Sequence, residues 1–238
     1  MFDPATAKLY FTNSGSNNVT VLYASNGTRV GSIAVGAGPL YLALDPDNGY
    51  LYIPDSGGKN ITVVNPTTGV VVKTVKVQTD PTECAYNPSV KDMYCTNEGS
   101  NSVSVLSSTT SPSVIATVVV STKPVGILYS PADKRMFVAD SATDYISEIS
   151  LTTVVGSVKL AVDPEFLTYD PSNGLIFVTS PGSHGIVVLG GSGKILQAVV
   201  TGTDPTNICI DSADGTLLVS NPSAGVATWV VTGEDGIY

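Results

Sequence analysis

Histidine and tryptophan each occur once in these 238 residues, and cysteine three times. A lone histidine cannot build a histidine-rich metal cage. An odd cysteine count excludes a fully paired monomer. Charge is scarce as well: charged residues are 13% of the chain, with 11 Lys plus Arg against 20 Asp plus Glu, for a net charge of −9. So few cations leave no electrostatic footprint for nucleic acid. An anionic membrane surface would repel the chain. The longest purely apolar stretches are a few residues, such as Val118–Val120, so no membrane span is expected. The opening Met1-Phe2-Asp3-Pro4 has neither a basic n-region nor an apolar h-region, so no signal peptide is expected in the chain as given.

Valine (33), threonine (26) and serine (26) are what the chain has in plenty, with 23 glycines and 15 prolines. The branched Cβ of Val and Thr packs well on a pleated, half-buried surface. Gly and Pro mark frequent turns. Hydrophobic residues reach 42%, too many for a disordered chain. Low charge with abundant Ser, Thr, Asn and Gly suits a surface-exposed protein.

The chain repeats. Prolines stand at Pro39, Pro81, Pro124, Pro164 and Pro205, spaced 42, 43, 40 and 41. Each is followed by a turn pair: Asp45-Pro46, Asn87-Pro88, Ser130-Pro131, Asp170-Pro171, Asp211-Ser212, with Asp3-Pro4 as a sixth copy. Then comes a short apolar strand with a polar end, as in Leu9–Asn13, Leu51–Asp55, Met93–Asn97, Met136–Asp140, Ile176–Ser180 and Leu217–Asn221. A Gly/Ser/Asn loop, a third strand and a fourth complete the unit. Period-two alternation marks strands, and no sustained 3.6-residue stripe predicts a helix. Four strands in about 41 residues is the signature of a propeller blade. The expectation is an all-β propeller of about six four-stranded antiparallel blades in a single domain spanning 1–238. The repeats run approximately 1–38, 39–80, 81–123, 124–163, 164–204 and 205–238. A β-sandwich is the runner-up, but it needs no regular period. The first copy lacks an opening strand and the last stops about where its fourth should begin. Roughly 22 strands, incomplete terminal blades and irregular closure follow. Otherwise the chain is a fragment of a longer array.

The runs Leu9-Tyr10-Phe11-Thr12-Asn13 and Met93-Tyr94-Cys95-Thr96-Asn97 resemble the YVTN family of β-propeller repeats, and the likeness covers nearly the whole chain. Departures are Pro54 for Thr, Cys95 for Val, and the loops at Ser180-Pro181 and Asn221-Pro222. The resemblance implies extracellular or cell-surface proteins, notably archaeal surface-layer proteins. It also implies a scaffold shared with propeller lactonases and streptogramin lyases, which use several His or acidic ligands around the axis.

The polar strand ends Asn13, Asp55, Asn97, Asp140, Ser180 and Asn221 fall at equivalent blade positions. They either gather around a ligand or hard cation such as Ca²⁺ or Mg²⁺, or cap backbone groups and set turns. Glu83 and Glu165, near the start of first strands, are candidates for the channel mouth, for cation binding or acid–base work. Glu148 interrupts a third-strand series of Val21, Val63, Val105, Val188 and Trp229. A carboxylate there must be exposed or paired. His184 reads as a loop histidine, and no Gly-x-Ser-x-Gly elbow accompanies it. If Tyr86 faces Met93, then Cys84 faces Cys95. Buried thiols are the default and a cross-strand disulfide the alternative, with Cys209 left over. The sequons at Asn18, Asn26 and Asn60 could carry glycans if the chain is exported.

The main reading is a non-enzymatic extracellular or cell-surface propeller, a surface-layer-like module with a protein or glycan partner and no cofactor. The alternative is a lactonase-like hydrolase or lyase with an axial divalent cation held by carboxylates such as Glu83, Glu165 or Asp140. A third is a soluble module excised from a larger repeat protein.

Overall fold

A computed structural model describes residues 1–211, 213–233 and 236–237. The chain is all-β apart from short 3₁₀ turns. Its six sheets are the four-stranded antiparallel blades of a β-propeller. It divides into two compact units, Met1–Val119 and Val120–Tyr238, with three blades in each.

In the first unit, blade 1 is β1 (Phe2–Asp3), β2 (Lys8–Asn13), β3 (Asn18–Tyr23) and β4 (Arg29–Ala34). Blade 2 is β5 (Ala43–Leu44), β6 (Leu51–Asp55), β7 (Asn60–Asn65) and β8 (Val70–Lys76). Blade 3 is β9 (Pro81–Asn87), β10 (Asp92–Asn97), β11 (Ser102–Ser107) and β12 (Val114–Val119). In the second unit, blade 4 is β13 (Pro124–Ser130), β14 (Arg135–Asp140), β15 (Tyr145–Ser150) and β16 (Thr153–Lys159). Blade 5 is β17 (Leu167–Asp170), β18 (Leu175–Ser180), β19 (Gly185–Leu189) and β20 (Ile195–Val200). Blade 6 is β21 (Ile208–Asp211), β22 (Thr216–Asn221), β23 (Val226–Gly233) and β24 (Gly236–Ile237).

The strands described number 24 rather than about 22. The opening strand of blade 1 and the closing strand of blade 6 are present but only two residues long. The terminal blades are therefore cut short, not short of a strand.

The turn series works as its residue types require. The first carboxyl or amide oxygen accepts the backbone N–H two residues on: Asp3 from Ala5 at 3.0 Å, Asp45 from Asp47 at 2.9 Å, Asn87 from Ser89 at 2.9 Å, Asp170 from Ser172 at 2.8 Å and Asp211 from Ala213 at 2.9 Å. These Asx turns close the first hairpin of each of these blades. Asp3, Asp45, Asn87 and Asp170 are buried while doing so.

Both faces of an inner blade are apolar because a neighbour covers each. Tyr10, Val19 and Val21 of blade 1 meet Leu51, Ile53 and Val64 of blade 2. Tyr52, Ile61 and Val63 of blade 2 meet Met93, Cys95 and Leu106 of blade 3. In the second unit Phe137 and Ile146 meet Ile176, Val178 and Leu189. Phe177, Ile186 and Val188 meet Leu217, Val219 and Val230. Each fully buried Val, Leu or Ile contributes about 1.5–3 kcal/mol, so the blade interfaces carry most of the stability. First strands of successive blades touch, β5 with β9 and β13 with β17 with β21. They form the inner edge of each unit.

Candidate functional site

The polar strand ends form a ladder. In five of the six blades the side chain bonds a hydroxyl seven residues later, on the next strand. Asn13 Nδ2 donates to Thr20 Oγ1 at 2.8 Å, Asn97 Nδ2 to Ser104 Oγ at 3.0 Å, and Asn221 Nδ2 to Thr228 Oγ1 at 3.0 Å. Where the end is an aspartate the direction reverses: Thr62 Oγ1 donates to Asp55 Oδ2 at 2.6 Å and Ser147 Oγ to Asp140 Oδ2 at 2.7 Å. In blade 5 Val187 stands where the hydroxyl belongs, and Ser180 Oγ is buried without a partner. Asp55, Asn97, Asp140, Ser180 and Asn221 have no exposure, so each is closed off from bulk solvent. Burial pushes the Asp55 carboxyl up to about 6, against lowering by the Thr62 hydroxyl and the Gly36 and Thr62 backbone. It pushes Asp140 up to about 7, against lowering by Ser147 and the Ser121 backbone.

A second hydroxyl, one residue before the strand end, clasps the incoming first strand. Thr96 Oγ1 accepts from Glu83 N at 3.1 Å and donates to Glu83 O at 3.2 Å. Thr179 does the same with Phe166, and Ser220 with Asn207. Neither hydroxyl series was singled out from the sequence. Their fixed spacing to the strand ends was the available signal.

Glu148 is buried and paired, with Arg135 Nη1 at 2.6 Å from its Oε2. Gly156 stands opposite it on β16 and Gly193 lies against it. These glycines give a carboxylate room where four other blades carry valine and blade 6 carries Trp229. His184 is exposed with φ +56°, in the left-handed position held elsewhere by Asn17, Lys59, Asn101 and Gly225. Its place is that of a turn residue.

Cys84 and Cys95 face each other across β9 and β10, with Tyr86 facing Met93. A disulfide joins them, so the default of buried thiols is corrected. Cys209 is free and exposed. Of the sequon asparagines, Asn26 sits in an exposed turn and accepts from Thr28 N at 2.9 Å. Asn18 and Asn60 are half-buried at strand starts and donate to Ser16 and Gly58.

Glu83 and Glu165 do not occupy equivalent positions. Glu83 is the residue clasped by Thr96, whereas in blade 5 the clasped residue is Phe166, one beyond Glu165. Glu165 instead packs its backbone carbonyl on the Gly126 N–H at 3.0 Å, where an added Cβ would collide. Glu83 lines a cleft of about 310 Å³ with Tyr10, Phe11, Thr12, Tyr41 and Leu42, all in the first unit. A groove of about 400 Å³ between blades 1 and 2 has Lys8 and Tyr10 but no carboxylate. A third hollow, of about 290 Å³, holds Asp3, Asp45 and Tyr50, but both aspartates there accept the hydrogen bonds of their own turns. The Glu83 cleft is the candidate for chemistry because its carboxylate belongs to no such turn. Tyr41, at the position equivalent to Glu83 in blade 2, was not foreseen. No group of three or more His, Cys, Asp or Glu able to hold a metal occurs among the described residues. Glu83 belongs to the first unit, and Glu165 and Asp140 to the second. No helix among the described residues is long and apolar enough to cross a membrane.

A scan against protein-family models finds no match, and a search of the curated proteins finds none. Solved structures do resemble the chain. Virginiamycin B lyase from Staphylococcus aureus is 14% identical with a TM-score of 0.80, the match covering 93% of this chain and 75% of that one. A putative 6-phosphogluconolactonase from Bacteroides uniformis is 17% identical with a TM-score of 0.78, covering 98% and 81%. Hydrazine synthase from Kuenenia stuttgartiensis is 17% identical with a TM-score of 0.83, covering 97% and 75%. At such identity the likeness is one of fold. The neighbours are nonetheless propellers named as enzymes. The reading as a non-enzymatic, surface-layer-like module is corrected on that ground.

Proposed function

We propose that the protein is a propeller hydrolase or lyase acting on a small molecule in the Glu83 cleft. The observation that carries this reading is the cleft that Glu83 and Tyr41 line together; its other tyrosine, Tyr10, gives its hydroxyl to Pro66 O at 3.2 Å. In this reading Glu83 takes a proton from substrate or water, and the Tyr41 hydroxyl donates to the oxygen on which charge develops. Phe11 and Leu42 supply the apolar floor that orients a ligand. The names of the solved neighbours support lactones and virginiamycin B as the first substrates to try.

The Leu9–Asn13 and Met93–Asn97 runs support kinship with YVTN repeats. The Cys84–Cys95 disulfide and the Ser/Thr-rich, weakly charged composition support an oxidising, extracellular setting.

The test is turnover of a panel of lactones and virginiamycin B, with and without Ca²⁺, Mg²⁺ and chelator. Glu83→Gln is expected to lower kcat by about 100-fold or more with the circular dichroism spectrum unchanged. Turnover that survives Glu83→Gln unchanged would remove Glu83 from the chemistry. No turnover on any substrate would remove the enzyme reading.

A further inference from the structure

The groove between blades 1 and 2 repeats, position for position, a site that blade 4 fills with its own side chains. Lys8 opens β2 as Arg135 opens β14. Val21 on β3 stands at the register of Glu148 on β15, and Gly31 faces Val21 as Gly156 faces Glu148. The other blades break this set. Blades 2, 3 and 5 carry Tyr50, Asp92 and Leu175 at the Lys8 position, and Lys73, Ala116 and Gln197 at the Gly31 position. Of these five blades, only 1 and 4 combine a cation with a glycine.

Blade 4 shows what the combination holds. Arg135 Nη1 meets Glu148 Oε2 at 2.6 Å. The carboxyl lies over Gly156, where a Cβ would stand 3.3 Å from Glu148 Oε1. The β19–β20 turn of blade 5 brings Gly193 against the same oxygen. A carboxylate, a cation and a glycine thus fit one slot between neighbouring blades.

Blade 1 keeps the cation and the glycine but has Val21 in place of the carboxylate. A Cβ on Gly31 would find nothing within 4 Å. The space is the groove of about 400 Å³, lined by Val21, Val30, Ile33 and the β7–β8 turn Pro66–Gly69 of blade 2. Lys8 is half-buried and forms no ion pair among the described residues. Asp3 faces it across β1 and β2, but accepts from Ala5 N at 3.0 Å and Thr6 Oγ1 at 2.5 Å. The Tyr10 hydroxyl is given to Pro66 O. Lys8 is the one charged residue lining the groove.

We propose that this groove binds a small organic carboxylate with an apolar body. Its carboxylate meets Lys8 as Glu148 meets Arg135, in a charge-assisted hydrogen bond. Its apolar part lies over Gly31 against Val21, Val30 and Ile33, the mixture of apolar wall and single polar anchor that small ligands use. The groove shares only Tyr10 with the Glu83 cleft, so binding here is independent of chemistry there.

The probe is hexanoate, titrated calorimetrically into the 238-residue chain, with hexanol as the uncharged control. Saturable binding of hexanoate is expected, about tenfold tighter than that of hexanol. Lys8→Met is expected to remove that margin and Lys8→Arg to keep it. Val21→Glu installs the carboxylate of blade 4 beside Lys8 and is expected to abolish binding with the circular dichroism spectrum unchanged. Gly31→Gln, which fills the groove with the side chain of blade 5, is expected to give the same loss should Val21→Glu not fold. Absence of saturable binding would overturn the proposal, as would equal binding of hexanoate and hexanol, or hexanoate binding that Lys8→Met leaves unchanged. Glu83→Gln is expected to bind hexanoate as the parent does; loss of binding in that variant would move the ligand to the other cleft and overturn the site.

Discussion

Ser147 donates its hydroxyl to Asp140 Oδ2 at 2.7 Å, whereas at the equivalent place in blade 3 it is Asn97 that donates to Ser104. One position thus serves with either an amide or a carboxyl. The difference matters because both side chains are fully buried. An amide is neutral at every pH. A carboxyl is comfortable there only when protonated.

Asp140 and Asp55 should make the protein less stable as pH rises. Their folded pKa values, about 7 and about 6, lie above the ordinary 3.8. Between these values the folded state holds more protons than the unfolded state, so stability falls with rising pH. The loss begins near pH 4 and is complete above pH 7 to 8. Asp140→Asn should raise Tm at pH 8, by a stability of about 1–2 kcal/mol, and leave it nearly unchanged at pH 4. A variant that lowers Tm at both pH values would show the carboxyl to be needed as such.

Arg135 and Glu148 should not be equally replaceable. Removing the arginine as Arg135→Met leaves a buried carboxylate unpaired, at a cost of about 3 kcal/mol. Glu148→Val restores the valine of the other blades and leaves an arginine side chain 39% exposed, at a cost of about 1 kcal/mol. Urea unfolding of both variants checks the order. The reverse order would mean that the pair does not govern the site.

The cysteines give a direct count. Denatured, unreduced protein should show one reactive thiol, that of Cys209, and three after reduction. The bond closes a separation of 11 residues, so its loss should cost about 2–3 kcal/mol. Three thiols before reduction would place the cysteines back among ordinary core residues.

The fold was legible because the repeat is written in positions. Pro39, Asp45, the Leu51–Asp55 strand and their copies recur at a period that only stacked blades explain. The facing of Cys84 and Cys95 followed from hairpin register alone. What escaped was chemistry between strands. Thr62 and Ser147 look like ordinary β-formers until their strands lie beside Asp55 and Asp140. Glu83 and Glu165 looked alike because both follow a proline closely. A one-residue difference in register sends their backbones to different partners. Arg135 as the partner of Glu148 needed the pairing of β14 with β15.

The outer strands carry a further consequence. The last strand of a blade has a neighbour within its own sheet on one side only, and a bare strand edge invites another. β8 has Lys73 and Lys76, β16 has Lys159 and β4 has Arg29. β12, Val-Ile-Ala-Thr-Val-Val, and β20, Ile-Leu-Gln-Ala-Val-Val, carry no charge, with Val119 and Val200 exposed at 75% and 78%. These two rims have no gatekeeper of their own. Their protection is borrowed from the surplus of negative charge on the whole chain, a defence that acid and salt both remove. Solubility in this protein is thus a collective property, while β12 and β20 carry a local hazard to it.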